Sequence, residues 1–452
     1  MNSPAHPDSP SLKPAPIHTL LMACICASLL VFGLLVDTSI NNNPILSQTL
    51  PDDPQASVEL PKDPRLEEAL QWFTPVEILK GKKFRAEKLR AHFNHLILSL
   101  SFIIFIIGSL WIRPLWKLSQ KFSGTFGIFV FVGLFFLLYW IILYPEIYYG
   151  SFALEKQYQL SNENFEQFFR HFLKIRVFSL LLWMAGFSVL VLFIKKYPQK
   201  WFLYAGICTW LALVFLTFIR PLVLDPWLYS FRPLPSGDLR ENITQLCQES
   251  GINPKNILIM EASKKTTRVN AYFTGVGPSK RIVLYDNLIE KHPTAEVQIV
   301  MAHELGHWKH KHIFWGLTLA LPAILLGFWG IHMTIHWIFE RKPFVHWIHV
   351  EPDLRYALLL PILLGFYLIL SLFIGPFGLA ISRHFERQAD RYALELTKNP
   401  QHFIEKQVRI TKQNLGDPLP HPLFTLFFAS HPSPLDRIRM AQETKHSSAL
   451  PR

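Results

Sequence analysis

Of 452 residues, 50% are hydrophobic and 14% aromatic, while 17% are charged, against roughly a quarter in ordinary soluble domains. Such a chain is not intrinsically disordered, and with 21 Gly and 4 Cys it is neither collagen-like nor a disulfide scaffold. A mean hydropathy of +0.21 points to a membrane protein with much of its chain outside the bilayer. The surplus of 45 Lys+Arg over 33 Asp+Glu, a net +12, gathers beside apolar runs, which fits membrane-flanking charge better than nucleic-acid binding. Cys24, Cys26, Cys208 and Cys247 form no CxxC pair, so stability is expected from packing.

In chain order, an amino tail (1–16) precedes a region of five predicted spans (17–219), near 17–36, 93–112, 126–144, 177–194 and 201–219. Each is long enough to cross about 30 Å of hydrocarbon. The first is too long for a signal-peptide core and carries no convincing cleavage site. The fourth and fifth are joined by the short link Lys195–Lys200, which predicts a hairpin. The segment 40–65, rich in Asn, Pro and Asp, reads as a loop. Two more spans lie near 313–338 and 356–382, within a region taken as 313–382. The loop before the second span carries Lys80, Lys82, Lys83, Arg85, Lys88 and Arg90, so that side is expected to face the cytoplasm.

Two blocks outside the spans, 220–312 and 383–452, fall on that same side. The first opens with Pro-rich turns. An amphipathic helix follows, marked by Leu239, Ile243 and Leu246 and ended by Gly251. Three strand-like runs come next: Ile257 to Met260, Asn270 to Thr274 and Arg281 to Tyr285. Gly275, Gly277 and Pro278 separate the last two.

Pro293 then starts a helix, with Glu296 near its positive end. It runs into His303-Glu304-Leu305-Gly306-His307. In this HExxH pattern the i and i+4 imidazoles share one face and can reach one zinc ion. Glu304 lies about 100° further round, where a carboxylate can take a proton from water and pass it to a leaving amine. After the last span, Ile381, Phe385, Tyr392 and Leu396 mark a helix with Glu386 and Asp390 on one face. Glu386 is the candidate third ligand. Asp390 is the candidate group that fixes a ligand histidine's tautomer. Two spans separate His307 from Glu386; an even number returns the chain to the same side, so the three ligands can meet.

This arrangement resembles the type I CAAX prenyl endoproteases, seven-span zinc metallopeptidases with a gluzincin-type HExxH site, over nearly the whole chain. Asn270-Ala271-Tyr272-Phe273-Thr274-Gly275 is similar to the family's substrate-aligning strand, Glu386 to Asp390 to its third-ligand helix, and Ser430-His431-Pro432-Ser433-Pro434 with Arg437 to its carboxy-terminal motif. The resemblance implies a mainly α, polytopic membrane fold with seven transmembrane helices and a zinc metalloprotease domain of helices plus a small β-sheet. It implies that His431 and Arg437 stabilise the oxyanion, and that Asn270, Ala271 and Tyr272 bind substrate. A sheet edge can accept an extended peptide through backbone hydrogen bonds.

The expected function is a membrane-integral zinc endopeptidase, with one zinc per chain, cutting near the carboxy terminus of prenylated substrates. Two alternatives stand beside it: a broader quality-control or peptide-processing protease with no prenyl requirement, and a non-enzymatic seven-span transporter or scaffold. The intact set His303, Glu304, His307 and Glu386 weighs against the last. The expected partners are a peptide or protein substrate and the lipid bilayer, with no nucleic acid and no obligate protein partner. No retrieval or lipidation signal ends the chain, which favours a bacterial inner membrane over the endoplasmic reticulum. His310 and His312 read as interfacial residues, as do His332 and His336 beside Trp329 and Trp337.

Overall fold

The computed structural model describes residues 53, 58, 60 and 62–449, apart from 110, 253–256, 276–279 and 341–353. Expectations for the first span at 17–36, most of the 40–65 loop, and Gly277 and Pro278 lie outside the described residues. Among the described residues, six helices are long and apolar enough to cross a membrane. Four precede the first soluble block: α2 (Pro75–Gly108), α4 (Gly124–Gln157), α5 (Phe165–Lys196) and α6 (Trp201–Leu228). The other two are α10 (His312–Glu340) and α11 (Leu354–Thr397). Short helices α1 (Leu66–Leu70) and α3 (Ile112–Ser119) flank α2.

The spans share a core in which Phe102, Phe131, Phe135, Phe136, Tyr139 and Leu143 are buried. Edge-to-face contacts tie it together: the Phe102 ring meets Phe135 at 5.4 Å and Tyr139 at 5.3 Å. The outward faces are apolar as well. Phe373 and Phe377 of α11 are 69% and 72% exposed, an arrangement stable against lipid and not against water. The chain is thus a multi-pass membrane protein, mainly α.

Helix α2 starts eighteen residues before the expected span. A capping box opens it: Thr74 N donates to Glu77 Oε2 at 2.9 Å, and Glu77 N to Thr74 Oγ1 at 3.3 Å, with Pro75 in the first turn. The basic residues assigned to a loop are therefore helical, and several are internal partners. Lys82 Nζ donates to Leu419 O at 2.7 Å and lies 3.5 Å from Asp417, which also pairs with Arg85. Lys88 pairs with Glu155. Hydropathy finds only the apolar half of such a helix; the polar half is held by caps and by ion pairs from distant chain segments.

Beyond the spans lies a four-stranded sheet in the order β1 (Phe231–Pro233), β2 (Ile257–Met260), β4 (Arg281–Tyr285), β3 (Ala271–Thr274). β1/β2 and β4/β3 are antiparallel and β2/β4 parallel. β1, which sequence reading took as Pro-rich turns, is an edge strand, where Pro233 leaves no inner hydrogen bond unmade. Side chains alternate across the sheet. Ile257, Ile259, Ala271, Ile282 and Leu284 face one core with Val297, Met301 and Leu305. Met260, Val283 and Tyr272 face the other way.

Among the described residues, six helices complete this part: α7 (Asp238–Glu249), α8 (Asp286–Lys291), α9 (Thr294–Lys309), α12 (Pro400–Gln413), the short α13 (Pro422–Phe428) and α14 (Pro434–Ala449). Helix α9 is the hub. Its Val297, Met301 and Leu305 pack on the sheet, while Ile299 and Ala302 pack against Ala393, Phe403, Leu435 and Ile438. Buried on both sides, it has no solvent face to give it amphipathic contrast.

Candidate active site

Pro293 stands at the N-cap of α9 and the helix begins at Thr294. Glu296 does more than meet the helix dipole. It is 1% exposed, pairs with His292 Nδ1 at 2.7 Å, and accepts from Arg409 Nε at 3.1 Å, so α9 and α12 are pinned at this end. At its other end, His303 and His307 project one turn apart. Their Nε2 atoms are 3.2 Å apart.

Facing them is α11, a single 44-residue helix that carries the last span and the third candidate ligand without a break. Glu386 Oε2 lies 3.3 Å from His303 Nε2, and Oε1 lies 3.3 Å from His307 Nε2. One ligand atom from each of His303, His307 and Glu386 falls within 4.8 Å of the others.

This donor set fits a divalent metal. Glu386 Oε2 is buried with no hydrogen-bond partner despite its close neighbours. The Nδ1 atoms of both histidines have partners of their own. The three remaining ligand atoms thus lie together, and two imidazoles with one carboxylate suit zinc.

His303 Nδ1 donates to Asp390 Oδ1 at 2.9 Å. Asp390 is fully buried and in turn accepts from Arg437 Nε at 2.8 Å and Nη2 at 2.5 Å. Burial opposes charge on His303, yet Asp390 and Glu386 outweigh it and raise its pKa to about 9. Arg437, expected at the oxyanion, has these two nitrogens committed to Asp390. His431 Nε2 lies 3.5 Å from Glu386 Oε2, and Ser430 Oγ bonds its Nδ1 at 2.8 Å.

Glu304 lies on the sheet side of the ligands. Its Oε2 accepts from Phe273 N of β3 at 3.4 Å, and burial pushes its carboxyl above the usual range. Asn270 Oδ1 accepts from Ala271 N at 2.9 Å. The amides of Ala271 and Phe273 therefore point off the sheet onto these side chains, and among the described residues β3 is the edge strand there. Asn270 and Ala271 line a cavity of about 450 Å³ shared with Glu304, Glu386 and His431. Tyr272 differs from the expectation: its ring packs on the far face of the sheet, and alternation turns its amide toward β4.

Two residues at the site, Lys406 and Gln388, are not singled out by the sequence, and a third, His312, reads there as interfacial. Lys406 of α12 lines the cavity at 3% exposure, its Nζ 4.1 Å from the centre of the Phe403 ring. Burial lowers its pKa to about 7. His312, read as interfacial, is buried against His307, with Gln388 behind it. No spacing in the sequence signals these contacts, which join α9, α10, α11 and α12. His332, by contrast, packs on Trp201 and Phe202 at 5.7 and 4.9 Å, away from the ligands.

Comparison with known proteins supports both halves of the chain. The five-membrane-helix N-terminal model of CAAX prenyl proteases matches residues 62–230, and the peptidase family M48 model matches 233–445. The uncharacterized metalloprotease YhfN of Bacillus subtilis is 34% identical over 254 residues, 56% of this chain and 59% of its own length. This chain thus aligns with less than two thirds of that relative. CAAX prenyl protease 1 of Saccharomyces cerevisiae is 28% identical over 328 residues, 68% of this chain and 70% of its own. The crystal structure of S. mikatae Ste24p shares the fold, with a TM-score of 0.76 over 95% of this chain and 100% of that one, at 20% identity. By its membrane half and its HExxH half together, the chain belongs to peptidase family M48, as a membrane metallopeptidase of the CAAX prenyl protease type.

Proposed function

We propose that the protein is a zinc endopeptidase that cuts near the carboxy terminus of prenylated, CAAX-type substrates. One zinc per chain would be held by His303, His307 and Glu386. The observation that carries this reading is the convergence of those three ligand atoms within 4.8 Å, beside Glu304 and the edge strand β3. When bound, zinc supplies a Lewis acid that polarises a carbonyl and makes water nucleophilic near neutral pH.

The protein's own residues do the rest. An extended peptide takes the place of Asn270 Oδ1 and Glu304 Oε2 on the outward amides of Ala271 and Phe273, which frees Glu304 and sets the scissile carbonyl across the ligand face. Asn270 borders the same groove. Glu304, its carboxyl raised by burial, takes a proton from the attacking water and gives it to the leaving amine. With Ser430 Oγ as the donor to His431 Nδ1 across their 2.8 Å contact, Nε2–H is left to stabilise the oxyanion. Arg437 acts through Asp390, holding it against His303 Nδ1. We place the catalytic face on the cytoplasmic side, in keeping with the Lys/Arg bias.

The test is cleavage of one peptide with and without a farnesyl thioether, with Glu304→Gln as the blank. The blank should keep about one zinc per chain and lose roughly a thousandfold in rate, as for loss of a general base. A strong preference for the lipidated peptide supports the CAAX reading. Equal cleavage of both transfers the function to general membrane-protein processing. A fully active Glu304→Gln removes the mechanism.

A further inference from the structure

His303 and His307 are oriented in different ways. His303 Nδ1 is held by a carboxylate. His307 Nδ1 instead meets another imidazole, His312 Nδ1, at 2.9 Å. His312 Nε2 then lies 3.0 Å from Gln388 Oε1, and its ring stacks on Phe385 with centroids 4.2 Å apart and planes 7° apart. His312 is 6% exposed, so ring position and proton placement are both set by these neighbours.

The proton order follows from the end of the chain of bonds. Gln388 Oε1 only accepts, so His312 Nε2 donates to it. That leaves His312 Nδ1 as an acceptor, and His307 Nδ1 must donate to it. His307 Nε2 is then the free lone pair, and it faces the ligand point. In a continuous helix, residues five apart would sit about 140° apart. Here α9 ends at Lys309 and Lys311 takes a left-handed φ of 56°, which folds His312 back onto His307.

We propose that His312, backed by Gln388, is a positioning residue that fixes His307 in the Nδ1–H tautomer and tunes the metal affinity of the site. The inference rests on the zinc-site reading above. Helix α11 thereby supplies a ligand, Glu386, and the anchors for both ligand histidines, Asp390 directly and Gln388 through His312. A neutral imidazole behind His307, in place of a second carboxylate, orients the ring without adding negative charge.

The test is Co²⁺ and Zn²⁺ affinity of the full-length protein in detergent, by chelator competition, together with the visible spectrum of the Co²⁺ form. His312→Gln keeps an acceptor for His307 and should stay within about threefold of wild type. His312→Phe keeps the stack on Phe385 and no acceptor, and should lose about 10- to 100-fold, the usual range for such outer partners, with a shifted Co²⁺ spectrum. Phe385→Leu removes the stack alone and should change affinity less than His312→Phe does. If Phe binds metal as well as Gln, or if Phe385→Leu matches the loss of His312→Phe, the role is packing and the proposal fails. A wild-type protein that binds no metal removes the zinc-site reading itself, a result distinct from these rankings.

Discussion

Gly306 of α9 lies directly against Ala389 of α11: a Cβ built on Gly306 would stand 2.8 Å from Ala389 Cα and 3.0 Å from its carbonyl oxygen. Both are backbone atoms that cannot turn aside. The glycine sits beside His307, and Ala389 is one turn from Glu386, so this contact sets the spacing between the histidine pair and the carboxylate. Gly306→Ala should push the helices apart, cost about 1–3 kcal/mol as overpacking does, and lower zinc occupancy. Thermal unfolding and metal analysis of the purified variant check both. Full occupancy with unchanged stability would show that the helices approach less closely.

Asp390, fully buried, pairs with the partly buried Arg437 behind His303. Removing one partner strands the other's charge, which costs about 3–5 kcal/mol. Asp390→Ala should therefore lower the unfolding midpoint markedly and weaken metal binding. Adding Arg437→Leu should restore part of the stability but not the metal affinity, because His303 Nδ1 still lacks its acceptor. Recovery of both in the double variant would assign Asp390 to stability alone.

His431 borders the cavity from the carboxy-terminal motif, with Nε2 3.5 Å from Glu386. His431→Ala should lower kcat by about 10²- to 10³-fold, the usual cost of one oxyanion donor, at unchanged zinc content. Loss of zinc in proportion to activity would make it a ligand instead.

Lys406 gives a pH signature. Its pKa falls from 10.5 to about 7 on folding, because burial penalises the charged form. Between those values the unfolded chain binds a proton that the folded protein has released, so stability rises with pH from about 7 to 10.5. Lys406→Met should flatten that rise and stabilise the protein at pH 7 by an amount on the order of a few kcal/mol. The measurement is the unfolding midpoint in detergent across that window, wild type against variant. A parallel pH dependence in the two would refute the assignment.

The apolar runs, the HExxH spacing and the Glu386/Asp390 pair were legible because each is a local pattern: hydrocarbon thickness fixes span length, and helical pitch fixes which residues share a face. The strands at 257–260 and 281–285 were readable for the same reason. Other features rest on contacts distant in sequence. Lys82 and Arg85 look like membrane-flanking charge until Asp417 is found between them. Tyr272 looks like a substrate residue until the register with Val283 turns it to the far face.

His312 shows the division most clearly. By sequence it is one more histidine at a membrane boundary; the break at Lys311 and the crossing of α11 place it behind His307. Sequence determined the apolar spans, the HExxH helix and the even number of spans between His307 and Glu386, because periodicity and span parity are properties of the chain itself. Tertiary structure alone decided which histidine Asp390 stands behind, and that His312 and Gln388 stand behind the other, because those pairs meet across as many as 87 residues of chain.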